Sequence, residues 1–312
     1  MMRWLLQERF HDMVKGIIIS LWISSILFFY FRGKIKPSLA KTLIDHSVLL
    51  APLNAIFVMT SKTNRTPVIP TDSLSELKIL RDNWHIFREE AIKLAKAQQI
   101  QKSEKKDDVG FNSFFKYGWK RFYLKWYGEN HPSAETLCPN SVKLLKAIPS
   151  IKAAMFAELP PGGRLNPHRD PYAGSLRYHL GLITPNSTDC YILVDGEKYS
   201  WKDGEDILFD ETYVHQARNN TDISRIILFC DVERPQKYLL ITIINRLFGR
   251  YIISAASSPN RSEDKTGFIN KITGWYWAVD SFRRKLKNWS KTVYYATKAL
   301  VISAILLLII II

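Results

Sequence analysis

The stretch "NPHRDPYAGSLRYHLGL" (166–182) puts His168 and Asp170 two positions apart, just before a strand-like run that carries Arg177 and His179. A second histidine, His215, follows 45 positions after Asp170 at the end of "DILFDETYV". Ten positions later Arg225 opens the apolar run "RIILFCDV". His-x-Asp alone is weak, because a turn with Asp170 in an Asx hydrogen bond and His168 in solvent explains it as well. The wider constellation has the composition of a non-haem iron site. Two neutral imidazoles and one carboxylate occupy one face of an Fe(II) octahedron and leave three positions open. Two of these suit a keto acid such as 2-oxoglutarate, and the third admits O2. The far carboxylate of that co-substrate then needs a buried cation, for which arginine offers a bidentate fork.

Strands must position these groups. Alternation puts Arg225, Ile227 and Phe229 on one face, with Ile226, Leu228 and Cys230 on the other. It likewise groups Arg177, His179 and Gly181 opposite Tyr178, Leu180 and Leu182. Charges inserted at period two into apolar runs are expected to face a cavity, a solvated edge being the alternative. From about 152 the short runs "AAMFAEL", "LRYHLGLI", "CYILVD", "KYSW", "DILFD" and "SRIILFCDV" alternate with "PPGG", "TPNSTD", "DGE" and "KDGE". This pattern predicts an antiparallel barrel or a double-sheet jelly roll. Upstream, Leu77, Leu80, Trp84, Phe87, Ala91 and Leu94 recur at three- and four-residue steps. They mark one face of an amphipathic helix of about 20 residues, closed by the polar loop "QQIQKSEKKDDVG". Residues 238–253 read as a second amphipathic helix, either packed as core or lying on a bilayer. "APLNAIFVM" (51–59) is apolar but too short to span, and reads as buried or interfacial.

Two terminal segments look membrane-embedded: "GIIISLWISSILFFYF" (16–31), and "VYYATKALVISAILLLIIII" (293–312), interrupted only by Lys298. The first lies behind mixed charge and lacks a small-x-small cleavage site, which favours an anchor over a signal peptide. Arg32, Lys34 and Lys36 follow it, and Arg283, Arg284, Lys285, Lys287 and Lys291 precede the last. The positive-inside rule therefore predicts that the intervening region is cytoplasmic. Lysine and arginine total 44 against 29 acids, a net charge of +15. That excess suits an anionic membrane surface, and no nucleic-acid module accompanies it. Cys138, Cys190 and Cys230 are widely spaced and odd in number, which fits a reducing compartment.

"LNPHRDPYAGSLRYHLGL", "YSWKDGEDILFDETYVHQARN" and "RIILFCDVERP" resemble the aspartyl/asparaginyl β-hydroxylase superfamily of Fe(II)/2-oxoglutarate dioxygenases, and within it the bacterial lipid A hydroxylase branch. "YGWKRFYLKWYGENHPSA" and "FRGKIK…LIDHSVLLAPLNAIFVM" also look like that branch. The resemblance implies a double-stranded β-helix, in agreement with the strand pattern, to which periodicity and hydropathy add flanking helices and membrane anchors at both ends. By position, it makes His168, Asp170 and His215 the iron ligands. It places Arg225 on the 2-oxoglutarate C5 carboxylate and Arg177 as a second co-substrate arginine. The animal peptidyl hydroxylases have glycine in place of Asp170 and a serine contact to 2-oxoglutarate where this chain has Ala157. Either that contact is missing here or another group supplies it. His179 is a cavity hydrogen-bond partner or a plain core histidine. The remaining histidines, and the aromatic cluster in "GWKRFYLKWYG", are expected to be packing, an acyl channel being the alternative use of the aromatics.

The expected organisation is an anchor (1–32), a helical and interfacial region (33–150), the dioxygenase core (151–235), a helical extension (236–292) and a C-terminal membrane segment (293–312). The implied activity is hydroxylation of C2 on a lipid A acyl chain in the bacterial inner membrane, releasing succinate and CO2. The expected partners are lipid A and membrane lipids, with no nucleic acid and no identified protein. The alternatives are a peptidyl aspartyl/asparaginyl β-hydroxylase and a non-catalytic membrane-tethered sensor.

Overall fold

Ten strands run through the described residues (2–103, 107–128 and 131–311) of the computed structural model. They are β1 (Val68–Ile69), β2 (Lys120–Trp126), β3 (Ile151–Leu159), β4 (Arg164–His168), β5 (Ser175–Ile183), β6 (Cys190–Val194), β7 (Glu197–Ser200), β8 (Asp206–Phe209), β9 (His215–Asn219) and β10 (Arg225–Glu233). One sheet has the order β1-β8-β5-β10-β3-β2, the other β4-β9-β6-β7, and every pairing is antiparallel. This is the double-sheet jelly roll expected from the strand spacing, with helices flanking it.

The two runs in which charge interrupts apolar sequence, β5 and β10, lie side by side at the centre of the larger sheet. Their register pairs Phe229 with His179 and Asp231 with Arg177. The outward residues Leu176, Tyr178, Leu180, Ile226, Leu228 and Cys230 are fully or nearly fully buried under a helical layer. That layer contributes Leu77, Leu80, Phe87, Ala91 and Leu94, the stripe expected from the helical period. The inward residues Ile227 and Phe229 join Ile192, Trp201, Phe209 and Ala217 in a second core between the sheets. Gly181 must be glycine, since a Cβ there would collide with the Lys202 carbonyl where the β7–β8 connection crosses β5.

Several elements depart from the pattern-based reading. The upstream helix is two helices, Lys78–Asp82 and Trp84–Lys96. At the break, Asn83 donates its side-chain amide to the Ile79 carbonyl at 2.8 Å, competing with the helical ladder. Two strands, β1 and β2, fall within 33–150. β2 is buried at nearly every position, so it shows no alternation. His168 ends a strand instead of sitting in a loop, because β4 ("RLNPH") is a mostly exposed edge strand with no apolar period.

At the termini, helices Met2–Arg32 and Lys291–Ile311 contain segments long and apolar enough to cross a membrane, Gln7–Arg32 and Lys291–Leu308. A third such segment, Leu239–Ala256, has exposed Leu239, Leu240 and Leu247.

Candidate metal centre

Antiparallel pairing of β4 with β9 sets His168 directly opposite His215, their ring centroids 4.2 Å apart. Each imidazole is oriented by the backbone two residues before it. The Nδ1 of His168 lies 2.7 Å from the Asn166 carbonyl, and that of His215 3.0 Å from the Tyr213 carbonyl. With Nδ1–H donating to those carbonyls, each ring keeps its Nε2 lone pair for a metal. Asp170 is fixed by its own N–H, which donates to the Glu211 carbonyl at 3.0 Å. Its Oδ1 stands 3.7 Å from His168 Nε2. One donor atom from each of His168, Asp170 and His215 lies within 4.8 Å of the others, close enough for the three to share one metal ion.

The electrostatics favour the ligand forms. Burial, reinforced by His168, pushes His215 down to about 3, although Asp170 opposes the shift. His215 is therefore neutral, as coordination requires. Burial would raise Asp170, but Arg177, then His215 and His168, outweigh it and hold the carboxyl below its usual range. Arg177 Nη2 donates to Asp170 Oδ2 at 2.8 Å. The same guanidinium pairs with Glu211, lies 3.2 Å from Asp231 Oδ1 through Nε, and covers the Phe229 ring at 3.8 Å. Tyr127 and Ser175 add hydroxyl donors to Asp231 and Glu211 at 2.9 and 2.6 Å.

Arg225 is buried in a different setting. Among the described residues no carboxylate forms an ion pair with it. Nη1 donates to the Ala157 carbonyl at 3.3 Å, Nε has no hydrogen-bond partner, and the guanidinium lies 4.2 Å from the Trp201 ring centroid. Burial pushes its pKa down to about 10, with the Cys190 thiol opposing. Beside it, both ring nitrogens of His179 and the Nε1 of Trp201 are buried without partners. Burial, then Arg225 and Arg177, hold His179 well below its usual pKa, so it is neutral. Orphaned buried polar atoms are rare in folded proteins, and a group of them marks a ligand site.

All five residues singled out from sequence line one cavity, together with His179, Trp201 and aromatic walls that include Phe114 and Trp119. Of the aromatic cluster, Trp119 lines this cavity, while Tyr123, Trp126 and Tyr127 pack in the core. His131 is a core histidine stacked on Tyr123. Sequence reasoning missed Trp201, Glu211 and Asp231. The last was accessible, because Asp231 continues the period-two face of Arg225, Ile227 and Phe229. The donor set fits Fe(II), and the uncompensated Arg225 fits the carboxylate of a co-substrate.

Residues 81–235, which include all five, match the family model described as Aspartyl/Asparaginyl beta-hydroxylase. An ornithine lipid ester-linked acyl 2-hydroxylase of Rhizobium tropici is 41% identical over 120 residues, covering 38% of this chain and 43% of that one. The Homo sapiens aspartyl/asparaginyl beta-hydroxylase is 26% identical over 168 residues, covering 51% of this chain and 21% of that one. The matched stretches thus span less than half of either relative. A solved Pseudomonas putida prolyl-4-hydroxylase is similar over 49% of this chain and 87% of that one, with 16% identity and a TM-score of 0.32, too loose a likeness to bear on function.

Asp170→Gly tests the carboxylate ligand. Its affinity for Mn(II), measured by calorimetry on the full chain, should fall by more than the roughly 10–100-fold typical of losing a residue that merely supports a ligand. Wild-type affinity in a folded Asp170→Gly protein would remove Asp170 from the ligand set.

Proposed function

We propose, from the match of residues 81–235 to the aspartyl/asparaginyl β-hydroxylase family model, an Fe(II)/2-oxoglutarate-dependent dioxygenase that hydroxylates C2 of a lipid A acyl chain. The observation that carries the dioxygenase reading is Arg225: a buried cation with no carboxylate partner, facing the cavity that His168, Asp170 and His215 share. Bound iron and 2-oxoglutarate would supply the oxygen-activating chemistry, with the keto acid leaving as succinate and CO2.

The chain's residues bind, orient and exclude water. His168, Asp170 and His215 hold the metal on one side and leave the other open. Arg225 takes the far carboxylate of 2-oxoglutarate, while His179 and Trp201 have unspent N–H groups for the same molecule. These two can supply the hydrogen bond that Ala157, lacking a hydroxyl, does not. Arg177 holds Asp170 in place and borders the same cavity, where it can also meet the co-substrate. Phe114, Trp119 and Leu165 wall the cavity with apolar surface.

A lipid acceptor is supported by the apolar helices near both ends and by the Rhizobium relative, whose name specifies acyl 2-hydroxylation. That name also favours a second reading, in which ornithine lipid is the acceptor. Both place the enzyme in a bacterial inner membrane with its core in the cytoplasm, where 2-oxoglutarate is available. The three cysteines, all free and buried, suit that compartment.

In a bacterium that does not hydroxylate its lipids, expression of the full chain should add one oxygen atom at the α position of a lipid A acyl chain, read by mass spectrometry. Modified ornithine lipid with unmodified lipid A would transfer the assignment to the second reading. Hydroxylated peptide with no modified lipid would replace both.

Arg225→Met should raise the concentration of 2-oxoglutarate required. Removing one partner of a buried, hydrogen-bonded charge pair costs about 2–5 kcal/mol, which is roughly 30-fold or more in affinity. Unaltered 2-oxoglutarate affinity in a folded variant would place the carboxylate elsewhere.

A reporter fused after residue 292 should be active only if it is a cytoplasmic type. The motivation is the basic clusters beside both apolar segments on the core's side. Activity of a periplasm-dependent reporter would invert the topology.

A further inference from the structure

The first apolar helix is fastened to the rim of the metal site. At its end Arg32 ion-pairs with the fully buried Asp210, which Arg234 also contacts at 3.0 Å. Arg32 Nη1 donates to Thr212 Oγ1 at 2.9 Å, and its guanidinium lies 4.0 Å from the Tyr213 ring centroid. The next residues continue the attachment, since the N–H groups of Lys34 and Ile35 both donate to the Asp195 carboxylate at 2.8 Å. These partners come from the β6–β7 turn and from the loop that leads into His215.

Two further cavities meet at this junction. One is bounded by Ile26, Phe29, Val48 and Ala51 and reaches Arg169 and Asp170. The other, of about 810 Å³, is bounded by Lys36, Lys41 and Arg169 and reaches His168. Arg169 borders both, and its Nε is buried without a hydrogen-bond partner. Asp45 is the carboxylate on the wider cleft, and it accepts from the Ser47 N–H at 2.9 Å. The apolar groove continues into the membrane-type helices: Ile26, Val48 and Ala51 pack with Trp22 of the first and Leu306 of the last.

We infer that an acylated membrane lipid docks here, with one acyl chain in the groove of Ile26, Phe29, Val48 and Ala51 and its anionic head group against Lys36, Lys41 and Arg169. The inference rests on the lipid-hydroxylase reading and deepens it. An apolar groove beside the membrane-type helices and an adjoining cleft bearing Lys36, Lys41 and Arg169 match the two halves of such a lipid. They meet at the segment that carries two metal ligands. C2 of an acyl chain adjoins the carbonyl carbon, so it lies at the boundary between head-group linkage and tail. Docking that boundary at His168 and Asp170 brings C2, and no carbon far along the chain, to the metal.

The test uses the full chain in phosphatidylcholine vesicles containing either lipid A or ornithine lipid, with hydroxylated lipid as the product read. Ala51→Trp fills the groove. It should lower lipid hydroxylation at least about tenfold, equivalent to 1.4 kcal/mol, while Mn(II) and 2-oxoglutarate binding stay at wild-type strength. A wild-type rate from Ala51→Trp would overturn the groove and leave the lipid reading standing. If Ala51→Trp loses Mn(II) binding, the milder Val48→Phe decides in the same way. The pair Lys36→Glu and Lys41→Glu should raise KM for the anionic lipid at least about tenfold with kcat largely kept. An increase confined to the lipid A vesicles assigns a phosphate head group, and one confined to ornithine lipid assigns a carboxylate. Unchanged KM in both overturns the head-group site. Should the wild type hydroxylate neither lipid but a peptide, the functional reading falls and this docking site falls with it.

Discussion

Burying a guanidinium is unfavourable unless a carboxylate accompanies it, and the candidate site's cavity is lined by two buried arginines, Arg177 and Arg225, in opposite settings. Arg177 is surrounded by Asp170, Glu211 and Asp231. Fully ionised, those three acids and one arginine would carry a net charge of 1 − 3 = −2 in a closed cavity. Burial, with Asp231 and Asp170 adding to it and Arg177 opposing, raises Glu211 well above its usual range. A dication at the adjacent ligands would relieve the excess negative charge. Arg225, at the start of β10, forms no ion pair with a carboxylate among the described residues, and its Nε has no hydrogen-bond partner. Asp170 and Arg177 line the same cavity as Arg225, so the acid-rich cluster borders it at one point and the unpaired guanidinium at another. Ligands that bind only the folded state should stabilise it.

This arrangement was partly legible in sequence because strand geometry is periodic. Arg177 and His179, like Arg225 and Phe229, sit an even number of positions apart within apolar runs, and two-residue alternation places each pair on one face. The register Phe229–His179 and Asp231–Arg177 then brings the two sets together. The helical stripe from Leu77 to Leu94 was legible for the same reason, although Asn83 divides it in two.

What periodicity could not disclose came from elements without it. β4 holds a proline and mostly exposed polar residues, so His168 looked like a loop residue, and its cross-strand pairing with His215 was hidden. Trp201 read as the end of a short strand, yet its ring supports Arg225 and its N–H is unspent. Arg32 was counted among the flanking charges that set membrane orientation. Its guanidinium instead turns inward to Asp210, which leaves Lys34 and Lys36 as the flank after the first helix and makes Arg32 a tether. Flanking charge and a buried tether look alike until a partner some 180 positions away is placed beside one of them.

Hydropathy alone misleads in the same way for Leu239–Ala256, which is long and apolar enough to cross a bilayer. Its buried Asn245 donates to the Gly174 carbonyl at 2.8 Å and accepts from the Tyr172 hydroxyl at 2.5 Å. The neighbouring Arg246 pairs with Glu233 at the end of β10. A spanning helix would have to break these bonds and carry Asn245 and Arg246 into hydrocarbon, which is costly for each. Held on the catalytic sheet, the helix instead presents Leu239, Leu240 and Leu247 outward on one side of its anchoring residues. Such a helix suits the interfacial plane of a membrane, with its polar face given to the protein in place of water. An amphipathic pattern fixes that a helix has two faces, and the position of one asparagine decides which of them packs on the protein.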